Sequence, residues 1–239
     1  MLRKIVFCLL ALTLAVSVTA QTKAPATKAS KAARVAFDRA LLQPATLTAK
    51  APDVFDVKLT TTKGDFVIRV TRAWSPNGAD RFYNLVRHGF YNGASFFRVV
   101  PGFVVQFGLS AHPEVSRAWA RATIPDDPVT QSNKRGFLTY AKSNQPNTRT
   151  TQVFINLIDN SRLDAAGFSP FGEVVEGMEV VEQLHGGYGD SVSYGGKGPE
   201  QDLIHTRGAA YLEKEFPNLD KIITATIVSP PPSPAKKTP

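Results

Sequence analysis

From Phe55 to Thr60 apolar and polar side chains alternate one by one, and beyond Thr62-Lys63-Gly64-Asp65 the alternation resumes at Phe66, Ile68 and Val70. A period of two marks a half-buried strand, because successive side chains leave opposite faces of the backbone. Two such runs joined by a turn with a glycine make a hairpin. A lone hairpin is marginal in water, so the rest of the chain has to supply strands that cover its apolar face.

It does so in short pieces. Ser95 to Val100 and Phe103 to Phe107 read as strands separated by Pro101-Gly102, which cannot both continue a ladder. Gly136 to Ala141, Gln152 to Asn156 and Phe171 to Val175 follow, and Ile223, Ala225 and Ile227 form a closing strand. Only two substantial helices are expected. One starts at Ser75-Pro76, an N-cap with proline in the first turn, buries Ala79, Phe82, Leu85 and Val86, and ends at Gly89. The other buries Met178, Val181 and Leu184. Residues 110–135, with only a brief helical pattern near Val115 to Ala122, read as a long loop, and the glycine-rich stretch Gly186 to Gly198 as another. Many short strands and two helices predict a mainly β fold: a closed antiparallel barrel, free of open edges, capped by two α-helices.

The ends differ from this body. Arg3 and Lys4, the apolar run Ile5 to Val18 and the small residues Val18-Thr19-Ala20 predict an export signal, residues 1–20, cleaved near Ala20. The run is shorter than the roughly 20 residues of a bilayer span, so no stable membrane insertion is expected after cleavage. Residues 21–52 are expected as a disordered linker with a short helical arm at Phe37 to Leu42, residues 53–229 as the folded domain, and residues 230–239 as a Pro-rich disordered tail. Cys8 is the only cysteine of the 239 residues and lies within the signal, so the exported chain carries no thiol. That excludes disulfides and thiolate catalysis and suits an oxidising compartment, periplasmic or extracellular.

A formal charge of +8 suggests nucleic acid until its location is considered. Eight of the 28 basic residues lie in the signal, in residues 21–35 and in the Pro-rich tail, which leaves 20 against 20 acidic ones. The body is near neutral, with no basic stripe to follow a phosphate backbone, so nucleic acid is not an expected partner. Asp126-Asp127 has no clustered partners, the four histidines are scattered, and Gly195-Gly196-Lys197-Gly198 lacks the serine or threonine of a phosphate loop. No metal and no cofactor are expected.

The segment Phe96 to Gly108 places one arginine, Arg98, and one glutamine, Gln106, among apolar and aromatic residues on adjacent strands. By pattern alone these two would sit on the solvated face of a half-buried sheet. The segment nevertheless resembles the cyclophilin signature, an arginine followed by a Pro-Gly turn, an aromatic and a glutamine. Gly136 to Ala141, Asn147 to Ile155, Leu163-Asp164 and Phe171-Gly172 follow in that family's order. The resemblance spans about residues 54–228.

It implies an eight-stranded closed barrel with two capping helices and, on its outside, a shallow groove for the proline of a peptide. Residue by residue, Arg98 would be the catalytic group of a peptidyl-prolyl cis-trans isomerase. Phe103, Val104, Phe154 and Leu163 would line the proline pocket, and Gln106, Ala141 and Gln152 would flank the peptide backbone. Lys142 stands where the family commonly has asparagine, Arg162 where many members have tryptophan, and Phe168 where many have histidine. Lys142 and Phe168 remain on the pocket rim, and loss of the tryptophan weighs against tight cyclosporin binding. The implied partners are proline-containing peptides and unfolded or flexible proteins, met by a monomer. Two other uses stay open: a binding module that retains clients without turnover, and a docking protein that recognises through residues 110–135.

Overall fold

The computed structural model describes residues 37–228. The expected signal with Cys8, the first part of the linker and the Pro-rich tail lie outside the described residues. The rest is a mainly β fold whose strands are β1 (Val54–Thr61), β2 (Gly64–Thr71), β3 (Arg98–Val100), β4 (Val104–Phe107), β5 (Phe137–Tyr140), β6 (Val153–Asn156), β7 (Pro170–Glu176) and β8 (Ile222–Val228). All pair antiparallel in one sheet of order β3-β4-β6-β5-β7-β2-β1-β8.

The expected hairpin is β1–β2, in unbroken register from Val54 opposite Thr71 to Thr61 opposite Gly64. Its apolar set, Phe55, Val57 and Leu59 with Phe66, Ile68 and Val70, is fully buried. The helix after it, α1 (Pro76–Arg87), adds Ala79, Phe82 and Leu85 to the same core. Ser75 stands at its N-cap but does not cap it. The Ser75 hydroxyl donates to the carbonyl of Pro170 at 3.0 Å, and the Asp127 carboxylate accepts from the backbone of Gly78 at 2.9 Å and Asn77 at 3.2 Å. Two orphan amides at the positive end of the helix are thus met by a negative charge from a distant loop.

Three expectations are corrected. The barrel is curled but not closed: no ladder joins β3 to β8. The seam is spanned by a single bridge, Ser95 to Lys221, with Phe96 N–H donating to Asp220 at 2.9 Å. β3 is only three residues long, and at Val99 its outer edge is taken by Gly189 of the glycine-rich loop. The helices number five among the described residues: α1, the short α3 (Met178–Glu182), and three more, α2 (Pro113–Trp119), α4 (Gln201–Arg207) and α5 (Ala209–Glu215). The last two cover a satellite cluster of Phe97, Leu109, Ile204 and Leu212. Finally, Ile223 is not part of the inward face of β8. A bulge between Thr60 and Thr61 shifts the register, so Ile222 is buried and Ile223 is 53% exposed.

The later part of the expected linker, residues 37–52, is docked rather than free. Short 3₁₀ turns at Arg39–Leu42 and Pro44–Thr46 bury Leu41, whose carbonyl accepts from the Trp119 indole at 2.8 Å. Asn84 and Asp80 of α1 bond the backbone of Ala49 and Ala51. Side chains of α1 therefore satisfy an extended strap that has no strand partner.

Candidate active site

The β3–β4 hairpin turns through Pro101-Gly102, where Gly102 takes the left-handed conformation (φ +73°) that a side chain resists. The register places Arg98 opposite Gln106, with Val99 and Val105 between them facing the core. The guanidinium and the amide therefore share the outer face, where Arg98 Nη1 donates to Gln106 Oε1 at 3.1 Å. β6 lies beside β4 with Phe154 opposite Gln106, which brings an aromatic ring next to the polar pair.

Around this face the chain builds a groove of about 420 Å³. All ten residues singled out from the sequence line it. Of these, Arg98, Gln106, Gln152 and Lys142 bring polar side chains, and Phe103, Val104, Ala141, Phe154, Leu163 and Phe168 apolar ones. The Phe154 and Phe168 rings meet edge to face at 5.8 Å. Phe103 takes two cations against its ring, Arg98 at 5.5 Å and Arg162 at 4.9 Å, while Lys142 lies 5.4 Å from the Phe168 ring. Arg162 thus covers a pocket wall by its cation–π contact where a tryptophan would have supplied a ring.

The apolar wall is held from below by a buried amide network. Asn160 Nδ2 donates to the Phe103 carbonyl at 3.0 Å and to Asn156 at 2.9 Å. Asp164 accepts from Asn133 and from Ser132. Burial alone would raise the Asp164 carboxyl, but these hydrogen bonds outweigh it and hold it below the usual carboxylate range. Leu163 sits in the one-turn Ser161–Leu163 segment between these anchors.

Asp190, which holds Arg98 beside the groove, and Gln201 and Tyr194, which line it, were not singled out from the sequence. Asp190, the single acid of the glycine-rich loop, grips Arg98 with both oxygens, Nε to Oδ1 at 2.8 Å and Nη2 to Oδ2 at 2.7 Å. The Arg98 hydrogen bond keeps its carboxyl below the ordinary value. Gln201, the first residue of α4, accepts from Gln152 at 3.0 Å, and Tyr194 reaches the groove while 74% exposed. Isolation of one acid among glycines was the only sequence mark of Asp190. Asp126 and Asp127 are used structurally, the first against buried Arg149 and the second at the start of α1.

A family model described as "Cyclophilin type peptidyl-prolyl cis-trans isomerase/CLD" matches residues 56–206. The chain is 34% identical over 132 residues to a peptidyl-prolyl cis-trans isomerase of Acinetobacter baylyi, covering 54% of this chain and 70% of that one. It is 33% identical over 151 residues to peptidyl-prolyl cis-trans isomerase B of Escherichia coli, covering 60% and 88%. Among solved structures, a cyclophilin type isomerase of Cryptosporidium parvum superposes with a TM-score of 0.54 at 20% identity, over 74% of this chain and 99% of that one, which shows the shared fold.

Proposed function

This chain belongs to the cyclophilin-type peptidyl-prolyl cis-trans isomerases, and from that premise we propose that Arg98 is its catalytic group and that the groove holds the proline of an exported client. The observation that carries this reading is the meeting of one guanidinium with Phe103, Phe154, Leu163 and Phe168 around a single groove.

Amide resonance sets a rotation barrier of roughly 18–20 kcal/mol, and at proline unaided rotation takes tens of seconds or more. In the twisted transition state the prolyl nitrogen becomes pyramidal and regains a lone pair. An N–H of Arg98 donated to that lone pair is stronger at the transition state than in the planar ground state, as catalysis requires. Shortening a process of about 10 s to about 1 ms needs some four decades, or on the order of 5–6 kcal/mol. One charge-assisted hydrogen bond supplies about 1.5–3 kcal/mol of that. The balance comes from gripping the ring on the apolar floor while Gln106, Gln152 and the Ala141 backbone hold the peptide, so that only one side rotates.

Export is supported by the amino-terminal residues: Arg3 and Lys4, the apolar run and Val18-Thr19-Ala20. No helix among the described residues is long and apolar enough to cross a membrane. The clients we infer are unfolded or flexible proteins in the periplasm or outside the cell, met by a monomer.

The test is isomerisation of a chromogenic Xaa-Pro peptide by the protein and by Arg98→Ala. The expected result is acceleration by the first and a loss of about a hundredfold in kcat/KM per folded molecule in the second. Equal rates for the two would remove Arg98 from the mechanism. Peptide binding without any acceleration would favour a client-retaining module.

A further inference from the structure

Arg98 carries five N–H donors in a rigid fork. Three are engaged: Nε and Nη2 by Asp190, and Nη1 by Gln106. The Gln106 amide in turn donates to Gln152 at 2.9 Å, and Gln152 donates to Gln201 at 3.0 Å. Every link in this row runs in one direction, from the guanidinium toward α4, so each amide is fixed in a single orientation. Both ends of the row come from one part of the chain, Asp190 from the glycine-rich loop and Gln201 from the helix that follows it.

The loop is shaped around Asp190. Gly189 bridges to Val99, the residue next to Arg98 on β3, and so sets the height of the loop against the strand. The Asp190 carbonyl accepts from Gly198 N–H at 2.6 Å, and its carboxylate accepts from Ser191 N–H at 2.8 Å. A Cβ on Gly198 would stand 2.8 Å from that carbonyl, and one on Gly196 would run into it. The glycines there let two backbone strands close over the aspartate. The carboxylate is three-quarters buried, at 25% side-chain exposure, and the guanidinium slightly more, at 20%. At that depth a bidentate carboxylate–guanidinium pair holds its geometry far better than on an open surface.

We propose that Asp190 is a positioning residue for the isomerisation, fixing the Arg98 fork so that its two uncommitted N–H groups stand ready for the prolyl nitrogen. This rests on Arg98 as the catalytic group. An arginine side chain left free would spread over many rotamers, and its orienting would then be charged against each turnover. The paired fork is already ordered before the peptide arrives.

Asp190→Asn keeps the shape and the Ser191 contact but opposes one N–H of Arg98 with an N–H of its own. In whole protein, kcat on the chromogenic peptide should fall about tenfold while KM changes less than about twofold. Asp190→Glu should recover part of that kcat, which a purely structural defect would not. The Arg98 Nε–H proton resonance should stand apart from that of a free guanidinium in the wild type and return toward it in Asp190→Asn. Unchanged kcat would overturn the proposal; so would a raised kcat, which would make the pair a restraint on Arg98, or a loss of Tm with no recovery in Asp190→Glu. An Arg98→Ala control that keeps full activity would sink the catalytic reading itself. An inactive Arg98→Ala beside a fully active Asp190→Asn would sink only the positioning role.

Discussion

The β1–β2 and β3–β4 hairpins each set an arginine against a polar residue directly across the ladder, and they commit it differently. In β1–β2, Arg69 lies opposite Asp56 and holds it with two hydrogen bonds of 2.9 Å, so the charge is satisfied within the ladder. In β3–β4, Arg98 lies opposite Gln106, a neutral partner that takes one N–H, and the carboxylate arrives from a loop 92 residues away in sequence. The first arginine is spent on the sheet. The second is held by its surroundings with donors to spare. The strands around them differ in the same sense. β1 and β2 run eight residues each, whereas β3 and β4 pair over three positions, and there Val104 and Gln106 are buried although they face away from the core. Stability and chemistry are therefore lodged in different hairpins.

The largest test of that division is Leu59→Ala. Leu59 is fully buried in β1, and the truncation should cost about 2–5 kcal/mol through lost burial and the cavity left behind. Urea unfolding measures it, while kcat and KM per folded molecule stay as in the wild type. A change in KM would mean that the two hairpins are coupled. Next comes Phe103→Ala on the groove side. It removes the floor of the proline pocket and two cation–π contacts, so KM should rise about tenfold, a shift worth about 1.4 kcal/mol, with a smaller loss of stability than Leu59→Ala. A larger loss of stability than in Leu59→Ala would erase the distinction.

The same contrast explains what could be read from the residues. β1 and β2 have water on one face, so alternation reports burial directly, and Phe55 to Val70 could be placed without help. β4 and β6 are covered on both faces: Val104 to Phe107 and Val153 to Asn156 are buried without a break. No period survives there, and the groove was legible only through the order of several motifs. All ten residues placed by that resemblance lie together. The misses have physical causes. Ile223 fits an alternation that a bulge cancels, and α4 and α5 are too short for a clear helical period and are split at Gly208. Ser75 has the residue type of a cap, but the amides of Asn77 and Gly78 donate to the Asp127 carboxylate instead of to its Oγ, and its hydroxyl donates to the Pro170 carbonyl. Asp190 meets Arg98 by a contact with no local pattern, and only the fold could reveal it.

The smallest expected effect concerns pH. The Arg98 hydrogen bond lowers the Asp190 carboxyl below its ordinary value, and the Ser191 amide adds to the effect. A depressed carboxylate binds its proton more readily in the unfolded chain. Its contribution to stability is therefore complete above the unfolded value, about 3.9, and disappears as pH falls through the lower folded one. Urea midpoints of the wild type and of Asp190→Asn should run parallel from neutral pH down to about 5 and begin to converge below the unfolded value of about 3.9, meeting once pH has fallen through the lowered value of the folded carboxyl. A gap that persisted at low pH would mean that Asp190 stabilises the loop by its shape and backbone contacts alone. Convergence together with a parallel loss of kcat would tie the charge on that loop to the arginine of the second hairpin.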